Sequence, residues 1–117
     1  MIKEAYVSFE VAKLLKEKGF DIPCYGRYSV RSQEFHLDTT KPCNNGGISQ
    51  YSAPTHQVAM SWLRKKGLHI NITYKNLPMS IFLYYWSIVE HEEIKGLEQT
   101  YEEAVEEALK YVLENFI

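Results

Sequence analysis

The sequence predicts an α+β fold in which antiparallel strands pack with three helices. Three stretches predict this class: a helix followed directly by a strand between Ala53 and Tyr74, a nearly all-apolar strand from Ile81 to Val89, and a capped helix from Thr100 to Phe116. The chain has 117 residues, of which 45% are hydrophobic, and this fits a single domain, residues 1–117. The predicted order is helix, short hairpin, helix, strand, strand, helix.

The first helix is predicted over residues 8–18. Ser8 can cap its free amide groups, and Gly19 supplies the stop. The apolar residues between them recur at helical spacing: Val11, Ala12, Leu14 and Leu15. Beyond this helix, residues 24–30 and 34–37 have the β-branched and aromatic content of two short strands, and the polar turn 31–33 predicts a hairpin.

Residues 38–52 are expected to form an irregular surface loop. They are rich in Asn, Gly, Pro, Ser and Thr, which favour turn conformations and offer little surface to bury. A connection of about 15 residues is long for a compact domain, and loops of this length are usually functional or mobile.

The central helix is predicted over residues 54–66. Pro54 suits its first position, and either Ser52 or Thr55 can cap it. Three cations at positions 64–66 match the helix dipole in the last turn, and Gly67 supplies the stop. In the following strand, residues 69–74, polar and apolar residues alternate, so one face should point to the core.

Residues 81–89 should pair antiparallel with 69–74, because the turn between them is too short for a parallel crossover. This second strand is apolar on both faces, and both faces therefore need cover from helices or from another subunit. The polar run 91–96 is expected to be a connection. Thr100 and Glu103 then form a capping box for the last helix, 100–116. The predicted core consists of Val11, Leu14, Leu15, Val58, Trp62, Leu63, Ile70, Ile72, Tyr84, Trp86, Ile88, Val105, Leu109 and Val112.

The charge distribution is uneven along the chain. The net charge is −2, but residues 1–75 carry eleven Lys and Arg against six Asp and Glu, whereas residues 76–117 carry two against nine. Two differently charged solvated faces explain this pattern more simply than nucleic-acid binding, because the basic residues are scattered. The chain has no leader-like segment and no long apolar run, which predicts a cytoplasmic protein outside the membrane.

Neither a cofactor nor a metal site is predicted. Cys24, His36, Cys43 and His56 lack the spacing of a zinc site, and free thiols are expected for both cysteines. Gly46 and Gly47 lack the context of a phosphate-binding loop. The acidic run with its histidine, residues 90–93, is expected to be a solvated turn rather than a carboxylate metal site. An enzyme would need His56 and one of the cysteines to converge in a cleft under the 38–52 loop.

The aromatic residues point to protein binding. Their number exceeds what a small core must hold, and tyrosine favours places where the ring is covered and the hydroxyl is wet. We therefore expect a non-enzymatic interaction module that binds a protein partner or forms a homodimer, with nucleic-acid binding as the alternative. The residues predicted to form the interaction surface are Tyr51, His56, Tyr74, Leu83 and Tyr85.

Three segments carry a resemblance to a known family. They are YVSFEVAKLLKEKGFD (Tyr6 to Asp21), APTHQVAMSWLRKK (Ala53 to Lys66) and TYEEAVEEALKYVLE (Thr100 to Glu114). They resemble a family of small uncharacterised proteins of gut bacteria, of Bacteroidetes type, and of their phages and mobile elements. The family has no assigned activity, cofactor or catalytic residue. The resemblance therefore implies an intracellular, phage-related protein and assigns no site.

Overall fold

In residues 3–117, the chain folds into three α-helices and two three-stranded antiparallel sheets, which confirms the predicted α+β class. The structure is a computed structural model that describes residues 3–117, without the side chains of residues 80–82. The chain forms two compact units, the first from the residues up to Ala59 together with Ile117, and the second from residues 60–116. That the whole chain folds as one domain stays a prediction.

The first unit contains a helix and a sheet in the strand order β2-β1-β3. Its elements are α1 (Phe9–Glu17), β1 (Gly26–Ser29), β2 (Phe35–Leu37) and β3 (Gln50–Ser52). The predicted hairpin corresponds to β1 and β2, with Arg27 opposite His36. The third strand lies inside the segment that was expected to be an irregular loop. It forms because β1 has a second edge whose backbone groups need partners.

The second unit contains the other sheet, in the order β4-β5-β6, and the last helix. Helix α2 carries the chain from the first unit into the second. The elements are α2 (His56–Lys65), β4 (Ile70–Leu77), β5 (Ile81–Ile88), β6 (His91–Glu98) and α3 (Tyr101–Asn115). In residues 3–117, no helix is both long enough and apolar enough to cross a bilayer.

The helix ends follow the capping residues that the sequence indicates, with one correction. The hydroxyl of Ser8 accepts the N–H of Val11 at 3.2 Å and caps α1. Thr100 accepts the N–H of Glu103 at 3.1 Å and caps α3. Helix α2 is capped by Thr55, and it begins two residues later than predicted. Pro54 therefore precedes the helix instead of opening it.

The central hairpin is confirmed. Strands β4 and β5 pair antiparallel along their full length, with Ile72 opposite Trp86. A short 3-10 turn, Pro78–Ser80, joins them, and Met79 in that turn has a positive φ of 69°. The prediction for the following polar run was wrong, because residues 91–98 form strand β6 on the other edge of β5. The run lacks a strand-like alternation, and its conformation is set by the backbone ladder that β5 offers.

The predicted core residues lie largely where the sequence places them. Val11, Leu15, Leu63, Trp86, Ile88 and the three predicted residues of α3 are buried. The others that the sequence assigned to the core are half-buried, except Trp62, which is buried. Buried residues that the sequence reasoning left out include Val7, Ala53, Leu68 and Leu113.

Candidate functional site

The two faces of the β4-β5-β6 sheet have different surroundings. Side chains alternate along β5, so Tyr84, Trp86 and Ile88 share one face. Helix α3 lies on this face, where Tyr84 contacts Tyr101 with ring centroids 6.0 Å apart and Trp86 contacts Tyr111 at 6.1 Å. Trp86 and Ile88 are buried there. This face is the packed side of the sheet.

The opposite face of the same sheet is exposed or half-buried. We call it the open face, and the strand registers assign to it Asn71, Thr73, Lys75, Leu83, Tyr85, Ser87, Lys95 and Leu97. Tyr85 lies at its centre, paired with Thr73 on one side and Leu97 on the other. Leu97 is 51% exposed. The open face therefore presents apolar and aromatic surface to solvent.

A hollow of about 500 Å³ lies at one end of the open face. Its lining consists of Asn71, Tyr85, Ser87, Ile88, Val89 and Glu92. Val89, which the sequence placed on a face in need of cover, is 52% exposed. The hollow is thus lined by an exposed apolar side chain, by the central tyrosine and by an acidic group.

The open face carries charged side chains near both ends of its strands. Near the β4–β5 turn, the Nζ of Lys75 lies 4.7 Å from the centroid of the Tyr85 ring. At this distance the ammonium group is attracted to the face of the ring. Glu92 lines the hollow at the opposite end, beside the β5–β6 turn. One end therefore carries Lys75, and the other carries Glu92 with Lys95 nearby, opposite Ser87. Tyr85 and Leu97 lie between the two ends.

The five residues that the sequence predicts to form one interaction surface belong to different sheet faces and different units. Leu83 and Tyr85 lie together on the open face. Tyr74 is 52% exposed, but it belongs to the packed side and contacts the ring of Tyr84 at 5.3 Å. Tyr51 and His56 belong to the first unit.

In the first unit, Tyr51 and His56 take part in local packing. Tyr51 contacts the ring of Phe9 at 5.4 Å, and the Nζ of Lys16 lies 5.5 Å from its centroid. His56 is only 5% exposed, and its backbone N–H donates to the carbonyl of Ala5 at 2.9 Å. The structure buries this histidine because the chain before α1 passes over the start of α2.

The 38–52 segment is ordered around a buried arginine. Arg27 on β1 is 9% exposed, and its guanidinium donates to the side-chain oxygen of Gln50 at 3.2 Å and to the carbonyl of Lys41. Asp38 lies 4.0 Å from the same group. A buried cation must be paired and hydrogen-bonded, so Arg27 holds both ends of the loop. Sequence reasoning missed this role, because a single Arg in a short strand carries no recognisable pattern.

The two cysteines lie opposite each other in an isolated antiparallel bridge. Both are free thiols and half-buried. Burial raises the pKa of the Cys24 thiol and the neighbouring Cys43 raises it further, against a lowering by the hydroxyl of Ser52. This direction is opposite to the one that a cysteine nucleophile needs at neutral pH.

The other candidate ligands remain apart. In the part of the chain that the structure describes, no three His, Cys, Asp or Glu side chains come together as a group that could hold a metal ion. Glu90 instead accepts two hydrogen bonds from His69, from the backbone N–H at 2.7 Å and from the ring Nδ1 at 2.6 Å. His91 stacks on Phe116 with ring centroids 4.0 Å apart.

Comparison with known proteins provides no relative from which a function could be inferred. No protein-family model, no curated protein and no solved structure matches the chain. The resemblance to proteins of gut bacteria and their phages stays an expectation. The open face and the cysteine pair are the features from which function is inferred.

Proposed function

We propose that this protein is a non-enzymatic interaction module that associates with a second copy of itself through the open face. The observation that carries the proposal is the exposed Leu97 beside Tyr85 at the centre of the three-stranded sheet. Interface centres are enriched in tyrosine and in apolar residues, with charged groups at the rim. The open face has this composition.

Charge complementarity favours a second copy over an unrelated partner. In a two-fold arrangement, each copy presents the same surface to the other, so residue pairs occur twice. A two-fold axis that lies between the two open faces, parallel to the sheets and perpendicular to the strands, would bring Lys75 of one copy near Glu92 of the other. Two attractive pairs would then flank the apolar centre, and a parallel arrangement would place like charges together.

The size of the open face predicts a weak dimer. Three strands of eight residues span about 26 Å by about 14 Å, given the usual rise and strand spacing. This footprint of about 400 Å² is about half of what each partner buries in a standard specific interface. We therefore expect association in the micromolar range or weaker, with a clear dependence on protein concentration.

Sedimentation velocity over a series from micromolar to near-millimolar protein tests the proposal. The average mass should rise with concentration for the natural chain. Leu97→Glu places a charge at the apolar centre and should shift the dimerisation constant by at least about tenfold, because a buried unpaired charge is costly. Ile48→Glu is the matched control, since Ile48 is 94% exposed in the first unit. A strict monomer at all concentrations would overturn the proposal.

A charge exchange tests the two-fold arrangement. Lys75→Glu and Glu92→Lys should each weaken the dimer, because each places like charges together. The double variant restores opposite charges and should recover most of the association. If the two losses simply add in the double variant, the residues are not paired across the interface.

Nucleic-acid binding is the second candidate, and one observation favours it. Arg64 and Lys65 close α2, Lys66 follows directly, and all three are exposed. Such a site predicts binding that weakens steeply with salt. Retardation of DNA or RNA at low salt that disappears when all three cations are replaced by Ala, in a chain that stays monomeric, would replace the dimer proposal.

A further inference from the structure

The two cysteines of the first unit are joined by their backbones. The N–H of Cys24 donates to the carbonyl of Cys43 at 3.0 Å, and the N–H of Cys43 donates to the carbonyl of Cys24 at 2.7 Å. Residues that exchange both hydrogen bonds in this way have Cα atoms about 5.5 Å apart, which lies within the range of disulfide-bonded cysteines. A bond between the two sulfurs therefore requires side-chain rotation and no rearrangement of the backbone.

The two sulfurs share a neighbour. The hydroxyl of Ser52 donates to the carbonyl of Cys43 at 3.0 Å and lies 3.3 Å from the Cys43 sulfur. The same side chain is a hydrogen-bond partner of the Cys24 thiol. Because one hydroxyl contacts both sulfurs, they lie on the same side of the backbone pair. Ser52 is fully buried, so packing holds this arrangement.

We propose that Cys24 and Cys43 form a reversible intramolecular disulfide by exchange with a low-molecular-weight disulfide such as oxidised glutathione. The Cys43 thiolate first attacks one sulfur of the small disulfide, whose S–S bond breaks to give a mixed disulfide and one small thiolate. The Cys24 thiolate then attacks the Cys43 sulfur, and the second small thiolate leaves. Two cysteine thiols lose two electrons, their two protons go to the two leaving thiolates, and the small disulfide becomes two thiols.

The order of attack follows from the surroundings of the two thiols. Burial keeps the Cys24 thiol protonated to higher pH, and a protonated thiol is a poor first nucleophile. The second attack is intramolecular, so Cys24 needs only a small thiolate fraction to complete it. Both residues are half-buried and not enclosed, which leaves the bond open to reduction and the modification reversible.

The disulfide would tie the 38–52 segment to the chain before β1. It closes a ring of about 20 residues, and the loss of chain entropy in the unfolded state should raise the unfolding temperature by about 10 °C. The cysteine pair lies in the first unit and the open face in the second. The disulfide proposal therefore stands or falls independently of the dimer proposal.

Incubation of the full chain with oxidised glutathione, followed by alkylation and intact-mass measurement, tests the proposal. The expected product has lost two hydrogen atoms, takes up no alkylating reagent and gives a linked Cys24–Cys43 peptide after digestion. Excess reduced glutathione should restore both thiols. Persistence of two alkylated cysteines, accumulation of glutathione adducts on both, or disulfide bonds between chains would each overturn it.

Single variants test the order of attack. Cys24→Ser and Cys43→Ser should both stop at the mixed disulfide, and the chain that keeps Cys43 should form it faster. The reverse order would overturn the assignment of the first step. Brief alkylation of the natural chain at early times, followed by peptide mapping, shows which cysteine carries glutathione first. This measurement needs no variant and so does not depend on whether a variant folds.

Discussion

At the scale of single residues, the ring of Trp86 packs closely against Gly96 in the second sheet. Gly96 on β6 lies opposite Trp86 on β5, and both face the packed side. A Cβ atom at position 96 would lie 2.5 Å from the indole Nε1 and 2.7 Å from Cε2. These distances are shorter than any real contact of this kind, and the ring is held by Tyr111 on α3. Glycine is therefore needed at position 96, because the Trp86 ring occupies the place of a side chain.

We expect Gly96→Ala to lower the free energy of unfolding by about 1–3 kcal/mol, because the added methyl group forces the indole or the strand to move. Gly47→Ala is the matched control, since a Cβ there meets no atom within 4 Å. Urea denaturation followed by circular dichroism measures both. Equal stability of the two variants would show that the Trp86 ring shifts without cost.

At the scale of elements, a carboxylate joins the start of β4 to the β5–β6 turn. Glu90 accepts the backbone N–H and the ring Nδ1 of His69, and the neighbouring Val89 N–H donates to the carbonyl of His69 at 2.9 Å. The hydrogen bond from the backbone N–H of His69, with that from its ring, holds the pKa of Glu90 below its ordinary value of 4.5. The charged form is thus favoured in the folded state.

This pKa shift predicts a loss of stability in acid. A carboxyl with a lowered pKa in the folded state contributes stability above its unfolded pKa, and the contribution disappears as pH falls through the folded value. Compared with Glu90→Gln, the natural chain should therefore lose stability between about pH 5 and about pH 3. The difference should stay below about 1 kcal/mol, because the side chains of His69 and Glu90 are 48% and 32% exposed, so that solvent screens their interaction. A constant difference across this range, measured by urea denaturation, would contradict the assignment.

At the scale of the whole molecule, stability rests on a small number of large buried side chains. Trp62 on α2 is 9% exposed, and the Nζ of Lys66 lies 4.5 Å from its ring centroid. Domains of this size are stable by only about 5–15 kcal/mol. Loss of one such side chain therefore removes a large part of the total.

Trp62→Ala should lower the free energy of unfolding by about 3–5 kcal/mol, since it removes buried apolar surface and leaves a cavity. Val89→Ala, at a 52% exposed position, should change it by less than about 0.5 kcal/mol. Chemical denaturation of both variants, followed by two spectroscopic probes, gives the comparison. A cost below 1 kcal/mol for Trp62→Ala would mean that the site collapses around the smaller side chain.

The parts of the fold that could be predicted from the sequence are those with local signals. The caps of α1 and α3, the glycine stops after α1 and α2, and the antiparallel pairing of β4 with β5 each depend on residues a few positions apart. Strands β3 and β6 lack such a signal, because each forms by adding backbone hydrogen bonds to an edge that another strand provides. Without β6, Leu97 and Lys95 could not be recognised as part of the open face.

The sequence by itself determined the α+β class, the caps of α1 and α3 and the apolar character of β5, because propensity, capping and periodicity act within a few residues of the chain. Only the tertiary structure decided which side of β5 stays exposed, that Arg27 orders the 38–52 segment, and that Cys24 meets Cys43. Each of these depends on contacts between residues far apart in sequence, in which the burial of one group is set by the position of another. The same holds for Trp86, whose ring fits only because Gly96 lies opposite it.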